Sequence, residues 1–244
     1  MRALVTNADG VQNERLDLLA GAARDRGLSS TVVGPMWDTS GCSAALTAVS
    51  HSGRVWVHHA TEEKPTLAME ATPAFIVRSA FYGAFGPSPD VVLSGINDGT
   101  NTGYAALHSG TVGAALTGTA RGCRALAISA DFDTPEETSA YVARRAVGWL
   151  LALKRPCVLN VNIPNRPLEE IHGAVATTLE PGGSVQATVT ESGDDFQPVV
   201  LKDSPEGADP QGDEQTVGRG FVSVTALRPL AEEPLVDLEE VLQE

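Results

Sequence analysis

The chain has 244 residues, of which 42% are hydrophobic and 20% charged, so it is long enough for one substantial buried core and ordinary for a soluble globular protein. Its net charge of −14 is unevenly placed: residues 191–244 hold 14 acidic residues against Lys202, Arg219 and Arg228, a balance of −11, which leaves −3 for residues 1–190. Neither part has the basic footprint that a phosphate backbone requires, which excludes polymeric nucleic acid as a partner. No apolar run reaches the length of a membrane span, and the start has no charged-then-apolar leader pattern. Cys42, Cys123 and Cys157 are scattered without CxxC spacing. Reduced thiols and a cytoplasmic location are expected, with no membrane partner.

In chain order, Ala3 to Thr6 reads as a first strand, ending at Asn7-Ala8-Asp9-Gly10. Leu16, Leu19, Ala20 and Ala23 give Glu14 to Arg26 helical spacing, and Gly27 stands where a C-terminal cap glycine belongs. Ser30 to Val33 is a second strand, followed by a loop from Gly34 to Gly41. A strand is expected over Arg54 to His59, and Thr72-Pro73 opens a helix to about Phe85. Asp90 to Leu93 is a buried strand leading into a loop with Gly95, Gly99, Gly103 and Gly110. A helix of small residues begins near Thr111, then a strand at Ala125 to Ser129, a helix from Thr134-Pro135-Glu136-Glu137 to about Leu153, and a strand at Val158 to Ile163.

Apolar strands alternating with helices predict an α/β fold with a mostly parallel sheet covered on both faces. In such sheets ligands gather beyond the carboxyl ends of the strands, where strand order reverses. Asp9, Ser40 and Asn97 each follow a predicted strand, so three loops are expected to meet in one crevice. After about residue 175 the pattern changes. Val185 to Thr190 and Gln197 to Leu201 alternate polar and apolar residues around Ser192-Gly193-Asp194, a hairpin signature. Lys202 to Thr216 reads as an acidic mobile loop, Gly220 to Leu227 as a returning strand, and the tail 232–244 is acidic with leucines at helical spacing. The expected organisation is a core of residues 1–175, an extension of 176–231 and the tail.

The glycine loop carries the chemistry. Ser109 is a candidate helix cap, and the free N–H groups of a first helical turn suit an anion. Asn97, Asn101, Ser109 and Thr111 add neutral oxygens and amides beside it. Simple capping by Ser109 and Thr111, and bracing of the loop by Asn101, are the structural alternatives.

Several stretches together resemble the SurE family: Met1 to Gly10 (MRALVTNADG), Ser40-Gly41, Thr72-Pro73-Ala74, the run Ser94-Gly-Ile-Asn97 through Asn101 to Gly103, Ser109 to Ala115, Leu159 to Pro164, and Gly220 to Thr225. The resemblance implies a Rossmann-like three-layer core with a C-terminal β-hairpin exchanged in a dimer or tetramer. It also implies hydrolysis of phosphomonoesters, typically nucleoside monophosphates, with one divalent metal such as Mg²⁺ or Mn²⁺. By position the metal ligands fall on Asp9, Ser40 and Asn97. Asp9, Asn97 and His108 are the expected catalytic residues, while Asn7, Asn101, Ser109, Gly110 and Thr111 are expected to bind substrate.

The chain also departs from that pattern. A second metal-binding Asp falls on Ala8, which has no ligand atom, so weaker cation binding is expected. Asn13-Glu14-Arg15 replaces an Ala-Pro-Gly turn, His108 stands for a tyrosine and Thr117 for a glutamate. His108 reads as a general acid or as a pocket wall. Arg15 reads as a phosphate contact or as an exposed first-turn arginine. The alternative function is a relative with weak or no phosphatase activity that binds a nucleotide-like ligand or serves another reaction.

Overall fold

A computed structural model describes residues 1–61, 65–180, 185–189, 199–203 and 211–230. The alternation of apolar strands and helices produces a nine-stranded sheet. Its central strands are β1 (Arg2–Thr6), β2 (Ser29–Pro35), β5 (Val91–Asp98), β6 (Arg124–Ala130) and β7 (Val158–Ile163). β3 (Val57–His59) and β4 (Leu67–Met69) lie at one side, and β8 (Ala174–Ala176) and β11 (Val222–Leu227) at the other, in the order β3-β4-β2-β1-β5-β6-β7-β11-β8. Pairing is parallel except between β3 and β4 and between β7 and β11. The central strands are buried almost end to end, which is why they read as continuous apolar runs rather than alternating ones.

Two hydrophobic layers sandwich this sheet. Helices α1 (Arg15–Asp25) and α5 (Glu136–Ala152) cover one face through Leu16, Leu19, Val142 and Leu150. Helices α2 (Pro73–Phe81) and α4 (Gly110–Thr119) cover the other through Ile76, Val77, Val112 and Ala115. The helix signals act as expected. Gly27 sits just past α1, where its N–H bonds the Arg24 carbonyl, and the Leu28 N–H reaches the Ala23 carbonyl. Ser109 caps α4, its hydroxyl accepting from the Val112 N–H at 3.2 Å.

Several boundaries differ from the sequence expectation. β5 does not stop at Leu93 but runs on to Asp98, with a shift in its register against β6 between Ser94 and Asn97. Gly95 permits this: its φ is +131°, and a Cβ there would run into the Ile128 carbonyl oxygen. The strand expected over Arg54 to His59 is only β3, paired with the unanticipated β4, and α2 ends at Phe81 rather than Phe85. The supposed mobile loop up to Thr216 contains a short helix, α6 (Asp213–Gly218), whose first residue is completely buried.

The two hairpin strands are β9 (Val185–Val189) and β10 (Val199–Asp203), an antiparallel pair outside the main sheet. Its expected turn at 192–194 and the acidic tail lie outside the described residues. The expected boundary after residue 175 falls inside β8, and β11 belongs to the main sheet. Among the described residues no helix is long and apolar enough to cross a membrane.

Candidate functional site

Chain order reverses beside β1: the chain first builds outward through β2 and β4, then returns to place β5 on the other side of β1. The ends of β1 and β5 therefore flank the switch point, where a doubly wound sheet opens a crevice. Asp9 follows β1, and Asn97 is the last residue but one of β5. The two strand ends are linked through the residue after Asn97, since the Asp98 N–H donates to Asp9 Oδ1 at 3.3 Å.

Hydrogen bonds tie the loop after β2 into the same place. Thr39 donates both its N–H and its hydroxyl to the Ala8 carbonyl, each at 2.8 Å. Ser43 donates its N–H to the His108 carbonyl and its hydroxyl to the Leu107 carbonyl. The start of α4 approaches closely because residue 110 is glycine. A Cβ there would stand 2.7 Å from Cys42 Sγ and 3.2 Å from the Ala8 methyl. Three loops and a helix N-terminus thus converge, as the strand-end positions predict.

Asp9 is the carboxylate of this site. Burial raises its carboxyl from 3.8 to about 6, helped by the negative charges of Asp98 and Asp38 and opposed by the Asp98 N–H. Its Oδ2 is buried without a hydrogen-bond partner, a costly state for a carboxylate unless a cation or donor meets it. Asn97 is oriented from both ends. Its Nδ2 donates to the Asp98 and Gly99 carbonyls, and its Oδ1 accepts from Thr111 Oγ1 at 3.0 Å. Ser40 is exposed, and its hydroxyl donates to Asp38 Oδ1 at 2.6 Å. In α4 the Val112 and Gly113 N–H groups are taken by Ser109. The Gly110 and Thr111 N–H groups precede the first intrahelical donor, the Gly113 N–H, and face the helix N-terminus where an anion would sit.

Other expected contacts lie below the crevice. Asn7 is fully buried and donates to the Gly10 carbonyl at 2.8 Å. Asn101 donates to Ser129 Oγ at 2.7 Å, while its backbone is held by Asn160 and Asn162. Both braces serve loops that line the site, the role left open for Asn101. His108 is exposed at the end of the short helix α3 (Ala105–His108). Arg15 is not the exposed first-turn arginine, and its guanidinium is engaged within the protein. It pairs with Asp98 at 2.9 Å and donates to the carbonyls of Ala130, Asp131 and Phe132, tying the β6–α5 loop to the end of β5.

Sequence reasoning missed Asp38, Asp98 and Asp213. Asp213 accepts the N–H groups of Gly103, Glu180 and Glu214 and so anchors the glycine loop. Only Asp38 left a signal, since an acidic residue two before a serine is an Asx-turn pattern. A groove of about 320 Å³ between α5 and the β11–β8 edge, lined by Tyr141, Trp149 and Leu168, contains none of the candidate residues.

The donor set fits a hard divalent cation: one buried carboxylate oxygen without a partner, one amide oxygen and one hydroxyl, all oxygen. Among the described residues no three His, Cys, Asp or Glu gather to hold a metal by themselves. The neutral oxygens of Ser40 and Asn97 would complete any such set. Ala8 is buried at 1% exposure and contributes only its methyl.

Comparison with known proteins identifies the family. The profile of the family described as Survival protein SurE matches residues 3–183. A protein named 5'-nucleotidase SurE from Pseudomonas entomophila is 35% identical over 235 residues, 93% of this chain and 92% of that protein. Its namesake from Vibrio cholerae is 34% identical across the whole chain and 98% of its own length. The crystal structure of the SurE protein from Aquifex aeolicus superposes with a TM-score of 0.86, 27% identity and complete coverage of both chains. The chain belongs to the SurE family.

Proposed function

We propose that this protein is a divalent-metal-dependent phosphomonoester hydrolase acting on nucleoside monophosphates. The orphan Oδ2 of Asp9, buried at the switch point beside the N-terminus of α4, is the observation that carries this reading. The names of the nucleotidase relatives support the substrate class.

Asp9, Ser40 and Asn97 would hold Mg²⁺ or Mn²⁺, which supplies Lewis-acid stabilisation of the phosphoryl charge. The Gly110 and Thr111 N–H groups bind the phosphate oxygens, and the positive end of the α4 dipole favours their charge. Ser109 keeps that helix start formed through its cap. Thr111 fixes the Asn97 amide so that its oxygen faces the hydroxyl rather than the loop carbonyls. Water attacks phosphorus in line as the ester P–O bond breaks, and His108 supplies the proton that the leaving alkoxide takes.

The test is phosphate release from a panel of nucleoside monophosphates with Mn²⁺, Mg²⁺ or EDTA. The expected result is cation-dependent turnover that Asp9→Ala abolishes. Undiminished turnover in Asp9→Ala, or full activity in EDTA, would overturn it. Ala8 favours a second reading, a ligand-binding relative with little hydrolysis. Phosphate release that arises only in Ala8→Asp would select that reading. Two further proposals accompany the function: the β9–β10 hairpin mediates self-association as a dimer or tetramer, and the protein works in the cytoplasm.

A further inference from the structure

Ala8 leaves the crevice one carboxylate short, and a neighbouring loop carries another. Asp38 precedes Ser40 by two residues, and its Oδ1 accepts both the Ser40 N–H at 2.8 Å and the Ser40 hydroxyl at 2.6 Å. The segment around it is pinned on both sides of Asp9. The Trp37–Asp38 backbone lies against Gly10, where a Cβ would stand 3.2 Å from the Trp37 carbonyl carbon and 3.5 Å from the Asp38 nitrogen. Thr39 is clamped to the Ala8 carbonyl by two hydrogen bonds. The backbone that carries the exposed Asp38 is therefore held against Gly10 and Ala8, the two neighbours of Asp9.

A serine hydroxyl has one proton and two lone pairs. With the proton committed to Asp38, the lone pairs are what Ser40 can offer a cation. The carboxylate behind it also makes the oxygen a better donor, as an outer carboxylate does for a metal-bound imidazole. We propose that Asp38 is a positioning residue for cation binding, acting through Ser40 to restore the negative charge that Ala8 does not provide. The inference rests on reading Asp9, Ser40 and Asn97 as the ligands of a divalent cation.

Asp38→Asn separates charge from architecture, because the amide oxygen still accepts from the Ser40 N–H and hydroxyl. Mn²⁺ binding to the substrate-free protein is measured by calorimetry for the wild type, Asp38→Asn, Ser40→Ala, the double variant and Asp9→Asn, with melting temperatures in EDTA as a control. The expected loss is about ten-fold in Mn²⁺ affinity for Asp38→Asn, within the range for groups that support a ligand, with no change in melting. In the Ser40→Ala background the same substitution costs little more.

Unchanged affinity in Asp38→Asn, with Asp9→Asn still losing the cation, would overturn the role of Asp38 and leave the metal site standing. An equal loss in both backgrounds would overturn the route through Ser40. A wild-type protein that takes up no Mn²⁺ at millimolar concentration would sink the metal reading itself.

Discussion

Burial sets the Asp9 carboxyl at about 6 against an ordinary 3.8, so protonation favours the folded, cation-free state. Its contribution to stability is complete below 3.8 and is lost as pH rises through about 6. At neutral pH the charged form carries a penalty of up to about 3 kcal/mol, which a bound cation relieves and an amide never bears. In EDTA, the wild type should lose about 3–5 °C of melting temperature relative to Asp9→Asn between about pH 5 and about pH 7.5, the part of the penalty, roughly 1.4 kcal/mol, that falls in that window. Saturating Mn²⁺ should remove most of that difference. Parallel melting profiles in EDTA would mean that Asp9 already has a partner in the cation-free protein. The same residue was readable in the sequence, because a carboxylate directly after a first strand is where an α/β sheet places ligand contacts. Asp98 was not, because an acidic residue at a strand end looks alike whether it faces solvent or supports a neighbour, and Asp38 offered only the turn pattern before Ser40.

At the scale of elements, the central strands, α1, α4 and α5 were legible because their burial is continuous and their caps are local. The edge strands were not: β4 and β8 have three residues each, too few for periodicity to register. Gly95 read as part of a break after Leu93, yet glycine there serves a close approach between β5 and β6. α6 shows the opposite error, an acidic segment whose first carboxylate turns inward. Asp213 is 0% exposed and collects backbone N–H groups from the glycine loop, from Glu180 and from its own helix. Asp213→Ala withdraws that acceptor from three donors, each worth roughly 1–3 kcal/mol when left unmet in the interior. Differential scanning calorimetry should show a fall of about 10 °C, and a smaller one for Asp213→Asn, which keeps one acceptor oxygen. A melting point within about 2 °C of the wild type for Asp213→Ala would mean that the loop holds without it.

Across the whole molecule, the β9–β10 pair joins neither edge of the nine-stranded sheet. An isolated two-stranded hairpin is marginal in water, so its five registered pairs call for a covering surface. A second copy of the chain is the occupant proposed above. The −11 balance over residues 191–244 makes electrostatics oppose such an assembly, because two copies bring like charges together. Screening should therefore strengthen it: raising salt from about 0.02 M to about 0.3 M shrinks the reach of that repulsion several-fold. Sedimentation of the wild type is expected to give a multiple of 25.4 kDa that becomes more populated with salt. Replacing residues 184–204 by a short Gly-Ser linker should give a 1:1 monomer at every salt concentration. Because that excision leaves β8, α6 and β11 in place, Asp213 still holds Gly103 and the linker variant keeps its Mn²⁺ site. An unchanged sedimenting mass after the replacement would assign association to another surface, and a loss of Mn²⁺ binding along with the dimer would mean that the partner copy completes the site.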